Sequence, residues 1–373
     1  MAPIRILHNV VMMDPGGIET QLMRIYRSID KTKIQFDFLV HRKEKGAYDD
    51  EIRMLGGRIF YAEPFNPFKH IKYVKSINKF FEEHNEYKIV LVHSELALWS
   101  LISAKKYNVP VRICYSHNGR FKLCLKRIFM DFEKLFLKKY STHMLAVSEL
   151  AANYTFGKKT VESGKVILVK NGLIVEDFIF NEKIREEKRK ELGLEDKLVF
   201  GHVGRFMMQK NHTFLIDIFN EITKIKANAH LILVGEGRLE DEIKEKVKSL
   251  GLENKVSFLG RRKDINQLDM AMDAFLLPSF FEGFPNVAIE SQATALPTYM
   301  SDRITKEAVF TPYCKQICLD ESAKYWAEFI CEDLDKKLER KDMSQFMKKE
   351  GYSVVETAKW YESFYENLIK NIK

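Results

Sequence analysis

The sequence predicts an α/β protein of two doubly wound domains, each a parallel sheet flanked by helices. Three observations predict it. At 373 residues the chain is too long for one ordinary hydrophobic core. Short apolar runs of strand length alternate with stretches of helical periodicity through both halves, a pattern that yields right-handed βαβ units and parallel sheets. Several of the strands stop in glycine-containing turns before a helix, where open α/β sheets hold their ligands.

In chain order, the first strand is Ile4 to Val11. Gly16-Gly17 then turns into a helical stripe of Ile18, Leu22, Ile25, Tyr26 and Ile29. Further strands are expected at residues 35–40, 58–61, 88–93, 111–116, 143–147 and 165–169, with helices at 70–81, 96–106, 121–140 and 149–156. The charged run 182–191 opens the second half. There, strands are expected at 198–203, 231–234, 255–258 and 274–277, and helices at 213–226, 239–250, 265–272 and 286–295. The boundary falls near Phe178–Phe180. This gives a first domain over 1–179, a second over 180–353 and a terminal helix over 354–373, where Trp360, Tyr361, Phe364 and Leu368 keep helical spacing.

A hydrophobic fraction of 46% with 30% charged residues is that of a globular protein, and no apolar run is long enough to span a bilayer. The first residues lack the pattern of a signal peptide, and the five scattered cysteines lack C-x-x-C pairing. Reduced thiols and a cytoplasmic location are expected. The net charge of +8 is unevenly spread: residues 1–180 carry 29 Lys and Arg against 19 Asp and Glu, the rest 31 against 33. A basic first half suits an anionic partner. The stretch 120–140 interleaves Lys and Arg with Phe and Leu. That mixture fits an anionic membrane surface better than nucleic acid, for which no recognised module appears, although an ordinary helix covering a sheet reads the same way.

Chemistry is expected in the second half. Gly204-Arg205 follows one strand and Gln209-Lys210-Asn211 completes the loop, so two cations and a helix N-terminus can neutralise a diphosphate. Pro278 stops another strand. After it Glu282, Gly283, Phe284, Asn286 and Val287 lead into a helix carrying Glu290, with seven residues between the two carboxylates. Carboxylates at such a turn suit polyol hydroxyls beside phosphate. Gly235 and Gly237 bare the backbone at a third strand end. His117, with Asn118 and Gly119, follows a strand and is equally readable as structural. Asp333-Leu334-Asp335 is a weak metal candidate. No P-loop, G-x-G-x-x-G, H-E-x-x-H or G-x-S-x-G pattern occurs, which disfavours ATPase, dehydrogenase, metalloprotease and serine-hydrolase chemistry.

Taken together, Gly16-Gly17-Ile18-Glu19-Thr20, His117-Asn118, Asn171-Gly172, Gly204-Arg205 with Gln209-Lys210-Asn211, Val234-Gly235-Glu236-Gly237 and Glu282-x7-Glu290 resemble the retaining glycosyltransferases of family four, over residues 4–310. Similarity is greatest to bacterial enzymes of exopolysaccharide and capsule synthesis. The resemblance implies the GT-B architecture: two Rossmann-like domains facing across a cleft, with the terminal helix crossing back to the first. It implies a nucleotide-sugar donor, commonly a UDP-sugar, a saccharide or lipid-linked acceptor, and no metal or other cofactor. Arg205 and Lys210 would hold the diphosphate, Glu290 the ribose, and Glu282 with the backbone of Gly283, Phe284, Asn286 and Val287 the sugar. Gly16 and Gly17 would line the diphosphate side, His117 would contact the sugar, and Gly235 with Arg261 would border the base. A lipid-linked acceptor would place the protein at the inner face of the cell membrane. Ala295, where the family usually has glycine, departs from the pattern. A sugar-nucleotide epimerase or hydrolase of similar fold, or a non-catalytic sugar-nucleotide-binding subunit, stays open as an alternative.

Overall fold

The computed structural model of the chain describes residues 2–66, 69–93, 97–117 and 134–372. They form two compact units, Met1–Ile174 with Gly351–Lys373, and Val175–Glu350. The division comes a few residues before the sequence reading put it, because Val175 and Phe178 lie in a buried 3-10 turn that packs on helices of the second unit.

The first unit holds seven parallel strands: β1 Ile4–Val10, β2 Ile34–Val40, β3 Ile59–Tyr61, β4 Ile89–His93, β5 Val111–Ser116, β6 His143–Ala146 and β7 Val166–Leu168. Their order is β3-β2-β1-β4-β5-β6-β7, so the direction of winding reverses between β1 and β4. Strands β2 and β4 are buried at every residue, as expected of a sheet covered on both faces. On one face Tyr73, Ile77, Phe80 and Phe81 of helix His70–Glu83 pack with Leu98 and Leu101 of helix Ala97–Lys106. On the other, Tyr26 of helix Gly17–Ser28 stacks on Phe36 at 5.1 Å between ring centroids, and Phe36 meets Tyr365 edge-on at 6.2 Å.

Tyr365 belongs to helix Val354–Lys370, which packs against helix Gly17–Ser28 within this unit. Its start is fixed twice. Ser353 accepts from the backbone of Glu356, and Leu173 pairs across the turn, donating to Tyr352 O at 2.6 Å and accepting from Val354 N at 2.8 Å. Gly172 lies so close that a Cβ there would sit 2.6 Å from Val354 Cα. The Asn171-Gly172 pair thus has a packing role. Of the helix expected over 121–140, residues 134–140 are helical and the rest lie outside the described residues, as do Asn118, Gly119 and Cys124.

The second unit repeats the pattern with six parallel strands: β8 Leu198–Val203, β9 Ala229–Val234, β10 Val256–Phe258, β11 Ala274–Leu277, β12 Thr298–Ser301 and β13 Cys314–Ile317, in the order β10-β9-β8-β11-β12-β13. Period-two alternation sorts its side chains. Phe200, Leu231, Leu233 and Leu276 meet helices His212–Ile225 and Ala323–Leu334, while Val199, Ile232, Phe275 and Leu277 meet Leu268 and Ala288 on the opposite face. The sequence reading omitted β12 and β13. Thr298 and Ser301 made β12 look polar, yet both are buried, with Ser301 Oγ donating to Ser279 O and Thr298 Oγ1 to Leu296 O. Among the described residues no helix is long and apolar enough to cross a membrane.

Candidate functional site

In the second unit the winding reverses between β8 and β11, which are paired side by side. The loops leaving their carboxyl ends are therefore neighbours. They carry Gly204–Asn211 and Pro278–Asn286, so the topology joins two motifs that lie some seventy residues apart in the chain. Phe280 N donates to Gln209 O at 2.9 Å, and Asn211 Nδ2 to Pro278 O at 3.1 Å. Asn211 adopts φ +56°, a left-handed turn that starts helix His212–Ile225. Asparagine tolerates that conformation better than most residues.

Between the loops, Lys210 Nζ and Glu282 Oε1 form an ion pair at 2.8 Å, with side chains only 15% and 8% exposed. Gln209 Nε2 donates to Glu282 Oε2 at 3.1 Å and to Phe281 O at 3.0 Å. Arg205 stands exposed on the same loop as Lys210. Glu290 is buried in the second turn of helix Asn286–Ala293. Phe284 and Val287 turn partly into the core beneath, which leaves the backbone of the Gly283 turn and the helix start beside Glu282.

A third strand end completes this edge. Gly204 N donates to Val234 O at 2.9 Å, and Gly235 N to Gly260 O at 2.8 Å. Gly235 has φ +135°, and a Cβ there would come within 2.2 Å of Gly204 O, so only glycine fits. Arg261 follows in the adjacent loop, paired in solvent with Glu236 at 3.0 Å. The expected residues of this half thus converge along the carboxyl ends of β8 to β11, the position at which doubly wound sheets bind ligands. Ala295 takes φ +52°. With Leu296 N donating to Ser291 O and Ala295 N to Gln292 O, it closes helix Asn286–Ala293 in a Schellman turn where glycine would be unstrained.

In the first unit Gly16 caps helix Gly17–Ser28 in an extended conformation that any residue can adopt. His117 follows β5, and its ring lies 4.1 Å from that of Tyr115. The Asp333-x-Asp335 pair is engaged by cations: Asp333 meets Lys315 and Lys336, and Asp335 meets Lys226. Cys114, Cys314, Cys318 and Cys331 are free thiols.

Sequence reasoning left several site neighbours unassigned. Gln209 stands in the loop motif without a role read from sequence, although its adjacency to Lys210 is a signal. Asp269 is buried behind Glu290, and its carboxyl is pushed well above the usual range by burial and then by the charge of Glu290. Nothing local marked it, since it lies in a helix rather than a loop. His8 and His93 were also passed over. His93 ends an otherwise apolar strand, which was the available signal, whereas His8 shares its strand with Arg5 and Asn9 and nothing local marked it.

The two sheets have the GT-B composition, and sequence comparison assigns the chemistry. Residues 15–177 match the family model Glycosyltransferase Family 4, and residues 184–352 match Glycosyl transferases group 1. A Bacillus subtilis relative named as the glycosyltransferase EpsF is 34% identical over 333 residues, covering 87% of this chain and 86% of its own. The Escherichia coli UDP-Gal:alpha-D-GlcNAc-diphosphoundecaprenol alpha-1,3-galactosyltransferase is 25% identical over 309 residues, with 80% and 79% covered. The capsular polysaccharide biosynthesis glycosyltransferase CapH of Staphylococcus aureus is 26% identical over 302 residues, with 77% and 78% covered. The fold superposes on Anabaena HepE in complex with UDP-glucose with a TM-score of 0.79 at 17% identity, covering 97% and 99% of the two chains. The chain belongs to the family-four glycosyltransferases, and it is a transferase of the GT-B fold.

Proposed function

We propose that the chain moves a hexosyl unit from a UDP-sugar to a saccharide or lipid-linked saccharide in cell-surface polysaccharide synthesis, retaining the anomeric configuration. The observation that carries this reading is the convergence of Arg205, Lys210, Glu282 and Glu290 over the carboxyl ends of β8 and β11. Loss of the nucleotide diphosphate builds negative charge, which the two cations and the adjoining helix N-termini can offset without a metal ion. Buried Glu290 suits the ribose hydroxyls, Glu282 and the Gly283 turn the sugar, the bare backbone at Gly235 beside Arg261 the base, and Gly17 the diphosphate. No side chain is assigned as acceptor base; the departing phosphate takes the acceptor's proton. The names of the E. coli and S. aureus relatives support a UDP-sugar donor, a diphosphoundecaprenol-linked acceptor and a capsular product.

The deciding experiment incubates purified protein with a panel of nucleotide sugars and a lipid-linked saccharide, with and without EDTA, and reads product anomers by NMR. An α-linked product from an α-linked donor, formed equally in EDTA, is expected. An inverted product overturns retention, and activity lost in EDTA but restored by Mg²⁺ overturns metal independence.

The same reading places the protein at the inner face of the membrane, held reversibly through the basic, Phe-rich stretch 120–140. Each Lys or Arg near an anionic leaflet contributes about 1 kcal/mol. Sedimentation with liposomes of rising anionic lipid content should carry the protein down at low salt and release it at high salt. Recovery in the supernatant throughout ends the membrane proposal.

A further inference from the structure

Three histidines form a chain through the first unit's sheet. His8 lies on β1, His93 ends β4 and His117 follows β5. The strands are adjacent and parallel, with His8 opposite Leu91 and His93 opposite Tyr115. Each histidine is therefore two residues beyond the one facing its predecessor, on the same side of the sheet, and the row climbs diagonally to the carboxyl ends. His8 Nδ1 lies 3.0 Å from His93 Nε2, and His93 Nδ1 lies 2.9 Å from His117 Nε2. Burial depresses the basicity of all three rings, to about 3 for His8 and His117, so they are neutral at ordinary pH.

A neutral imidazole has one N–H and one acceptor nitrogen, so only two proton arrangements satisfy both hydrogen bonds. The far end of the chain chooses between them. Among the described residues His8 Nε2 is buried without a partner, and its ring packs at 4.2 Å on Phe36 and 5.5 Å on Phe38. In one arrangement that nitrogen would be an orphaned N–H. In the other it is an unused lone pair, the lesser penalty, because buried unpaired donors are rarer than under-used acceptors. With the lone pair at His8 Nε2, His8 Nδ1–H donates to His93 and His93 Nδ1–H donates to His117 Nε2. The single N–H of His117 is then at Nδ1.

We propose that His8 and His93 are positioning residues that hold His117 in the Nδ1–H tautomer, so that it meets a sugar hydroxyl as a hydrogen-bond donor. The tautomer stands on the histidine chain alone; the hydroxyl rests on the proposed transfer reaction and on the sugar contact that the family resemblance implies for His117. Tyr115 restrains the ring from the side, at 4.1 Å, and its own hydroxyl donates to Val169 O at 3.3 Å.

Long-range ¹H–¹⁵N correlation on ¹⁵N-histidine-labelled full-length protein at neutral pH reads the tautomer directly, with the His117 signals assigned by their loss in His117→Gln. A protonated Nδ1 on His117 is expected, and a protonated Nε2 overturns the proposal whether or not the protein shows transfer. His93→Leu breaks the chain. It should release His117 from that tautomer and lower kcat roughly 10- to 100-fold, as misplacement of a contacting group does, with UDP affinity retained. His93→Gln, whose amide can accept from His8 and donate to His117, should restore both. Wild-type tautomer and kcat in His93→Leu overturn the positioning role. If wild-type protein transfers no sugar, the spectrum still decides the tautomer and only the functional reading fails.

Discussion

At the scale of single residues, the centre of the candidate site is a nearly buried ion pair. Lys210 and Glu282 neutralise each other at 2.8 Å, so removal of either leaves the other a poorly solvated charge. Exposed Arg205 carries no such structural burden. Arg205→Ala should cost transfer about 2–4 kcal/mol at the transition state while leaving the melting temperature unchanged, whereas Lys210→Ala should lower both. The two carboxylates divide in another way. Contacts to ribose are shared by ground and transition states, so Glu290→Ala should mainly weaken UDP binding, and Glu282→Ala should mainly slow turnover. Calorimetry with UDP alone checks this, and a greater affinity loss in Glu282→Ala reverses the roles. Lys210 and Glu282 were each legible as candidates in the sequence. Their pairing was not, because it depends on β8 lying beside β11.

At the scale of elements, helix Asn286–Ala293 is built for its place rather than for intrinsic stability. It is short, buried over most of its length, and closed by an alanine at φ +52°. A left-handed alanine costs on the order of 1–2 kcal/mol relative to glycine. Ala295→Gly should therefore raise the unfolding free energy by up to about 1 kcal/mol, offset in part by the lost methyl packing. Denaturant titration measures it, and a destabilised variant shows that the methyl contact outweighs the strain. Helical periodicity revealed most other helices and strand ends to within a residue or two. It missed β12 because buried hydroxyls satisfied by neighbouring carbonyls look like loop residues in sequence.

For the molecule as a whole, eight of ten histidines have depressed basicity, His143 and His230 less so and six strongly: His8, His41, His93, His117, His202 and His212. Burial is the leading cause in each. Their ordinary value is near 6.5, while those of His41 and His212 fall to about 4. Below pH 6.5 the unfolded chain binds protons that the folded chain refuses, so this stability is complete above that pH and is lost as pH falls. Each such site contributes a slope of about 1.4 kcal/mol per pH unit across its window. Asp269 acts in the opposite sense, since its raised value favours the folded state as pH falls, but it is one group against six. Urea midpoints should fall steeply from pH 7 to pH 5. A flat profile would contradict neutral burial of these rings.

The sequence by itself determined the fold class, the alternation of strands and helices, the family, and the residues that cluster at the ends of β8, β9 and β11. Those features rest on local periodicity and on motifs whose residue types are dictated by turns, anions and hydroxyls. Tertiary structure alone decided three things. The start of helix Val354–Lys370, which the resemblance already returned to the first domain, is pinned against Gly172; Asp269 is buried behind Glu290; and His8, His93 and His117 join into one hydrogen-bonded row. Each depends on which strands and helices become neighbours, and that is set by a sheet order that reverses in space while the chain runs on in sequence.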